Sequence, residues 1–169
     1  TPPRPGVWQH TLDALDTLEQ VIATVVGKPS LASPDPSADV PASVWEDLAR
    51  QLGPFAGELQ PHLSATLSAD RDRQLLLKLA GLFHDALGGL DFDLVGEDER
   101  VHFHGHAATG GRLVHGRMRA LRFSGGEAAH VRTIVEAHSR PARLSRGETV
   151  TRRSIYRYFR DTGDAGVDT

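Results

Sequence analysis

The sequence predicts an all-α fold, a bundle of about six to seven helices, from three observations. Apolar residues recur three and four apart along most of the chain, which is the period of one helix face. Alternation, the mark of a half-buried strand, is confined to short stretches such as VHFHG. Helix starts and stops punctuate the apolar runs. With 169 residues, 39% hydrophobic and 24% charged, the chain has the size and composition of one soluble domain that can bury a core unaided.

Taken in order, Val7 to Val26 places Leu12, Leu15, Leu18, Ile22 and Val25 on one stripe, a first amphipathic helix that Gly27 and Lys28-Pro29 stop. KPSLASPDPSADVPAS then supplies four prolines and few large apolar residues, so 27–42 reads as an exposed, disordered connection. Two shorter helices follow: Ser43 to Leu52 from a serine N-cap, ending at Gly53-Pro54, and Phe55 to Leu67. Asp70 is expected to cap the next, in which QLLLKLAGLFHDAL is apolar nearly all round and so predicts the central core helix. Gly88-Gly89 end it, and the acidic DFDLVGEDER forms a loop up to HFHGH. Ala107 to Leu121 is the next helix. Ser124 and Glu127 make a capping box that opens a helix to His138, ended by Arg140-Pro141. A last helix spans Thr151 to Asp161.

Composition narrows the chemistry. The chain has no cysteine, which excludes disulfides, thiolate nucleophiles and Cys-ligated zinc, so a metal must sit on His and carboxylate. No apolar run approaches the roughly 20 residues of a membrane span, and TPPRPGVWQH lacks the layout of a signal peptide, so no membrane partner and a cytoplasmic location are expected. Charge is divided along the chain. Residues 1–111 balance to −9, whereas 112–160 balance to +9 with all 12 basic side chains Arg. An arginine-rich third suits phosphate, because the guanidinium fork donates two parallel hydrogen bonds, although arginines on solvated helix faces give the same composition.

Nine histidines are present. His84-Asp85 end the apolar helix, where an adjacent ionisable pair is costly to bury unless the charge is compensated, and a divalent cation compensates it. Neutral imidazole with carboxylate suits Mn, Fe, Ni, Zn or Mg. His10 lies in the first turns of helix one. His102, His104 and His106 alternate and point to one side if their loop is extended. His138 ends a helix, where an imidazolium is favoured by the dipole without any function. His62, His115 and His130 read as surface residues. Asp91-Phe92-Asp93 has the look of a polymerase metal site but lacks the upstream Gly-Ser helix, and it reads as an acidic loop.

Read in order, VWQHTLDALD, LLLKLAGLFHDAL, FHGHAATGGRL and LRFSGGEAAHVRTIVEAHSRP resemble the HD domain of bacterial CCA-adding tRNA nucleotidyltransferases and related poly(A) polymerases across nearly the whole chain. The resemblance implies that residues 1–169 form a single HD domain, an α-helical bundle whose metal site hydrolyses phosphate esters such as 2′,3′-cyclic phosphates and 2′-nucleotides. It assigns His10, His84 and Asp85 as metal ligands, with His84 and Asp85 catalytic. His106 and His138 fall at the family's middle histidines, which ligate a second metal or hold the substrate phosphate. Arg140 matches the family's arginine. Arg143, Arg152 and Arg153 join it as expected phosphate or RNA contacts. Two departures weaken the expectation of turnover: Gly88 stands where the family often has a lysine, and the chain ends before the helix that supplies the last Asp ligand, for which Asp161, Asp164 or Asp168 substitute only by accident of geometry.

Three functions follow as expectations. The first is a metal-dependent phosphohydrolase acting on a phosphate ester or nucleotide. The second is a catalytically silent module in which residues 112–160 contact tRNA or other RNA. The third is a helical scaffold that self-associates through exposed apolar surface. Nucleotide addition is expected of none of them.

Overall fold

The computed structural model describes residues 5–27, 41–68, 71–85, 103–146 and 149–169, with the backbone alone for 5, 7 and 103–107. The all-α expectation holds. The helices are α1 (Pro5–Val26), α2 (Ala42–Leu52), α3 (Ala56–Ser64), α4 (Arg73–Phe83), α5 (Phe103–Ala120), α6 (Gly125–Ala137), α7 (Arg140–Ser145) and α8 (Arg152–Thr162). Two strands, β1 (Thr66–Ser68) and β2 (Arg71–Asp72), form a short antiparallel hairpin between α3 and α4. The expected connection and the acidic loop fall on 28–40 and 86–102, outside the described residues, as does Gly88. Among the described residues no helix is long and apolar enough to cross a membrane.

The core lies between α4, α5 and α6. Leu76 and Ala80 meet Val114 and Met118 and the α6 stripe of Ala128, Val131, Ile134 and Val135, with Ala165 closing one end. The central helix is therefore α6 and not α4, in which Leu75 is 40% exposed. An all-round apolar run does not say which side faces solvent, whereas the smaller residues of α6 admit neighbours on several sides.

Helix ends explain several boundaries. Ser124 and Glu127 make both bonds of the predicted capping box. Thr151 caps α8 by accepting from Ser154 N. The cap of α4 is Asp72, which accepts from Leu75 N, and not Asp70. Ser43 lies inside α2, whose first residue follows Pro41 with no side-chain cap. The helix expected to reach Leu67 stops at Ser64, because the chain turns into β1 and Ala65 accepts from Arg73 N at 3.0 Å. The expected extended loop at HFHGH is also corrected, since α5 begins at Phe103 and takes in His104 and His106. Three alternating residues are too short a signal to override the helix-forming run that follows.

Contacts along the chain set the helix directions. Glu19 pairs with Lys78 at 2.9 Å, and a Cβ at Gly81 would come within 3.1 Å of Leu18 and 3.3 Å of Leu15, so α1 lies close against α4. His10 meets His84 at the far end of this contact, which makes α1 and α4 antiparallel. Ser68 touches Ser124 at one end and His84 touches His138 at the other, which makes α4 and α6 parallel. The C-terminal ends of α4 and α6 thus meet the N-terminal part of α1.

Candidate metal centre

His84 and Asp85 follow the last turn of α4, and His10 reaches them from α1. Asp85 Oδ2 is 3.5 Å from both His10 Nε2 and His84 Nε2. Among the described residues these three make the group whose donor atoms, all within 4.8 Å of one another, are spaced for a metal ion. Ligands about 2.1 Å from a common ion lie about 3.0 to 3.4 Å apart at an octahedral or tetrahedral edge, so small side-chain adjustments suffice. The donor set of two imidazoles and a carboxylate fits a divalent cation of the first transition row or magnesium.

Hydrogen bonds orient the rings. His84 Nδ1 is 2.7 Å from Gly81 O, and a carbonyl only accepts, so Nδ1 carries a proton and Nε2, turned toward Asp85, is the nitrogen whose lone pair the neutral ring offers. His138 repeats the arrangement with Nδ1 donating to Val135 O at 2.7 Å. Its ring lies edge-on to that of His84, with centroids 5.7 Å apart. Each bond exploits a carbonyl that a helix end leaves unpaired. In the neutral ring the carbonyl partner fixes the tautomer that ligation needs. The centre opens to solvent on one side, where the His10 side chain is 60% exposed and that of His84 only 18%.

The structure thus brings His10, His84, Asp85 and His138 together. His106 sits in the N-terminal half of α5, which runs antiparallel to α6 with Gly111 against Glu136, and so belongs to the same end of the bundle. Arg140 lies two residues beyond His138 and is already engaged: it donates to Asp161 Oδ2 at 3.1 Å and lies over the Tyr158 ring. The Arg160 guanidinium, hydrogen-bonded to Asp161, together with Arg140 holds the Asp161 carboxyl below the usual carboxylate range. Arg143, Arg152 and Arg153 are exposed on α7 and α8. Neither Asp161 nor Asp164 nor Asp168 joins the metal-spaced group among the described residues.

Asp168 has another role, and two expectations about histidines are corrected by it. His130 and His62 are not the surface residues expected: His130 is buried, and His62, half-buried like His115, is tied into the interior. His130 Nε2 donates to Asp168 Oδ2 at 2.6 Å and His62 Nε2 to Oδ1 at 2.7 Å. Burial alone would push the Asp168 carboxyl up, but the hydrogen bonds and charges of His130 and His62 outweigh it and hold the group low. Arg73 adds contacts to Asp168 and Asp164. One signal for His130 was present in the sequence, since it shares the 127, 130, 131, 134 stripe of α6. Its partner, 38 residues away, gave none.

No curated protein and no solved structure matches the chain. Residues 45–161 match the HD domain. HD domains bind divalent metals, and the family implies a metal-dependent phosphohydrolase. The matched span contains His84, Asp85 and His138, while His10, before its start, is delivered to them by α1. On this match, which covers most of the sequence and includes the His-Asp pair at the centre, the chain belongs to the HD-domain family.

Proposed function

We propose that this chain hydrolyses phosphate esters of nucleotides at a divalent-cation centre held by His10, His84 and Asp85. The observation that carries the reading is the convergence of these donors from α1 and from the end of α4, with His84 locked in the ligating tautomer by Gly81. When bound, the cation supplies Lewis-acid polarisation of a phosphoryl oxygen and acidifies a water toward neutrality. The protein's residues do the rest. His138, its Nδ1 bonded to Val135 O and its ring beside His84, accepts or relays a proton through Nε2 at the open face. Asp85, partly exposed, orients the attacking water as well as holding the ion. Arg140 positions this face by bridging α7 to Asp161 of α8. His106 supplies a further ligand or a phosphate contact from α5. Mn²⁺ and Ni²⁺ suit the imidazole donors, with Mg²⁺, Fe²⁺ and Zn²⁺ also compatible.

The order of the His-bearing blocks supports a parent protein of the CCA-adding or poly(A) polymerase kind, with 2′,3′-cyclic phosphates and 2′-nucleotides as substrates. The test is hydrolysis of a 2′,3′-cyclic nucleotide with Mn²⁺. Asp85→Ala is expected to lower the rate by about 100-fold or more, and chelation to abolish it. Activity unchanged in the variant contradicts the reading.

One observation favours a second reading, in which the chain positions RNA. Exposed Arg152, Arg153 and Arg157 interleave on α8 with Ile155, Tyr156 and Phe159, each at least 44% exposed. Cations between aromatic rings suit a single strand, with backbone charge and base stacking both served. RNA affinity that falls steeply with salt and drops in Arg152→Ala/Arg153→Ala supports it, whereas a salt-independent affinity excludes it.

A further inference from the structure

We propose that the cavity between the β1–β2 hairpin and the α5–α6 turn is a second anion site, built to take a phosphate group. It is open to solvent, offers about 370 Å³ and is lined by Ser68, Arg71, Arg119, Arg122, Phe123 and Ser124. It lies at the N-terminal end of α6, and the 13 residues of that helix put it about 20 Å from His138 and the metal centre.

The charge balance points to a ligand. Three arginines line one cavity, and a carboxylate answers only one of them: Glu127 Oε1 is 3.0 Å from Arg71 Nε. Arg119 gives one N–H to a neutral acceptor, the Phe123 carbonyl, at 2.6 Å. Neither Arg119 nor Arg122 pairs with a carboxylate among the described residues. The first N–H groups of α6 are not the site, because Ser124 and Glu127 already occupy the cap. The arginines themselves carry the recognition, by parallel N–H donation to phosphate oxygens.

The arginines are also held in place. Arg71 is stacked 4.3 Å over the Phe123 ring. Arg122 is anchored by its backbone. Phe123 N donates to Met118 O and Arg122 N to Arg119 O, each at 3.1 Å, which is the Schellman closure of α5. In that closure the left-handed residue is usually glycine, yet here it is Arg122, with φ +68°. A side chain therefore stands where the backbone prefers none, at the wall of the cavity.

Pyrophosphate is a suitable probe, titrated calorimetrically into the full chain in EDTA so that divalent cations play no part. Saturable binding is expected, weakened about tenfold or more by Arg119→Ala and by Arg122→Gly, and within about twofold of wild type in Asp85→Ala. Arg122→Gly keeps the fold, since glycine suits that φ, and circular dichroism checks this. Displacement of pyrophosphate by a 5′-mononucleotide assigns the site to small phosphorylated ligands, and displacement by a single-stranded oligoribonucleotide alone assigns it to a nucleic-acid backbone. No binding, binding indifferent to both arginine variants, or binding lost in Asp85→Ala overturns the proposal.

Discussion

Asp168 shows how one residue ties distant parts of the chain together. Its carboxylate has no solvent exposure and takes bonds from His62 of α3 and His130 of α6, with Arg73 of α4 at 3.4 Å. Removing it leaves two imidazoles without their acceptor and a buried arginine with Asp164 alone, and Asp168→Ala is expected to cost about 3 kcal/mol in urea denaturation. The pH dependence follows from the same contacts. The folded carboxyl titrates below its unfolded value of about 3.9, so its stabilisation is complete above that pH and is lost as pH falls through the lower folded value. Wild type and Asp168→Asn should therefore converge as pH falls below about 4. A difference that grows as pH falls below about 4 contradicts the assignment.

Helix ends make the element scale testable, because two adjacent ones depart from neutrality in opposite directions. Ser124→Ala removes the acceptor of Glu127 N and the partner of Ser68 Oγ, and should cost about 1 kcal/mol, seen as a fall in melting temperature of about 2 to 4 °C. Arg122→Gly relieves a left-handed non-glycine residue and should leave stability unchanged or raise it by up to about 1 kcal/mol. Thermal denaturation of the two variants side by side checks both signs. Glu127 shares in this region. Burial would push its carboxyl up, but the Ser124 backbone and hydroxyl, Ser68 and Arg71 outweigh that and keep it low, so the cap is an ionised one.

Across the whole molecule, what could be read from sequence was what local rules encode. The helix stripes, the capping box at Ser124 and the helix stop after Arg140's predecessor residues depend on neighbours three or four apart, and α1, α6 and α8 fall within a residue or two of their expected bounds. The His84-Asp85 pair stood out because it ends an apolar run. The directions of α1 and α4 could not be read that way, since the fit of Leu15 and Leu18 over Gly81 is a contact between distant segments. The Asp168 cluster and the arginine cavity were missed for the same reason: each gathers residues from three or more elements whose spacing carries no period. His10 was assigned by resemblance, and the antiparallel packing of α1 supplies the physical reason it meets Asp85.

That His10, His84 and Asp85 hold a divalent cation is tested by elemental analysis after equilibration with Mn²⁺ and desalting. About one ion or more per wild-type chain is expected, lost in Asp85→Ala and in His10→Ala while far-UV circular dichroism is unchanged. Equal metal in wild type and both variants, or none in wild type, would contradict it.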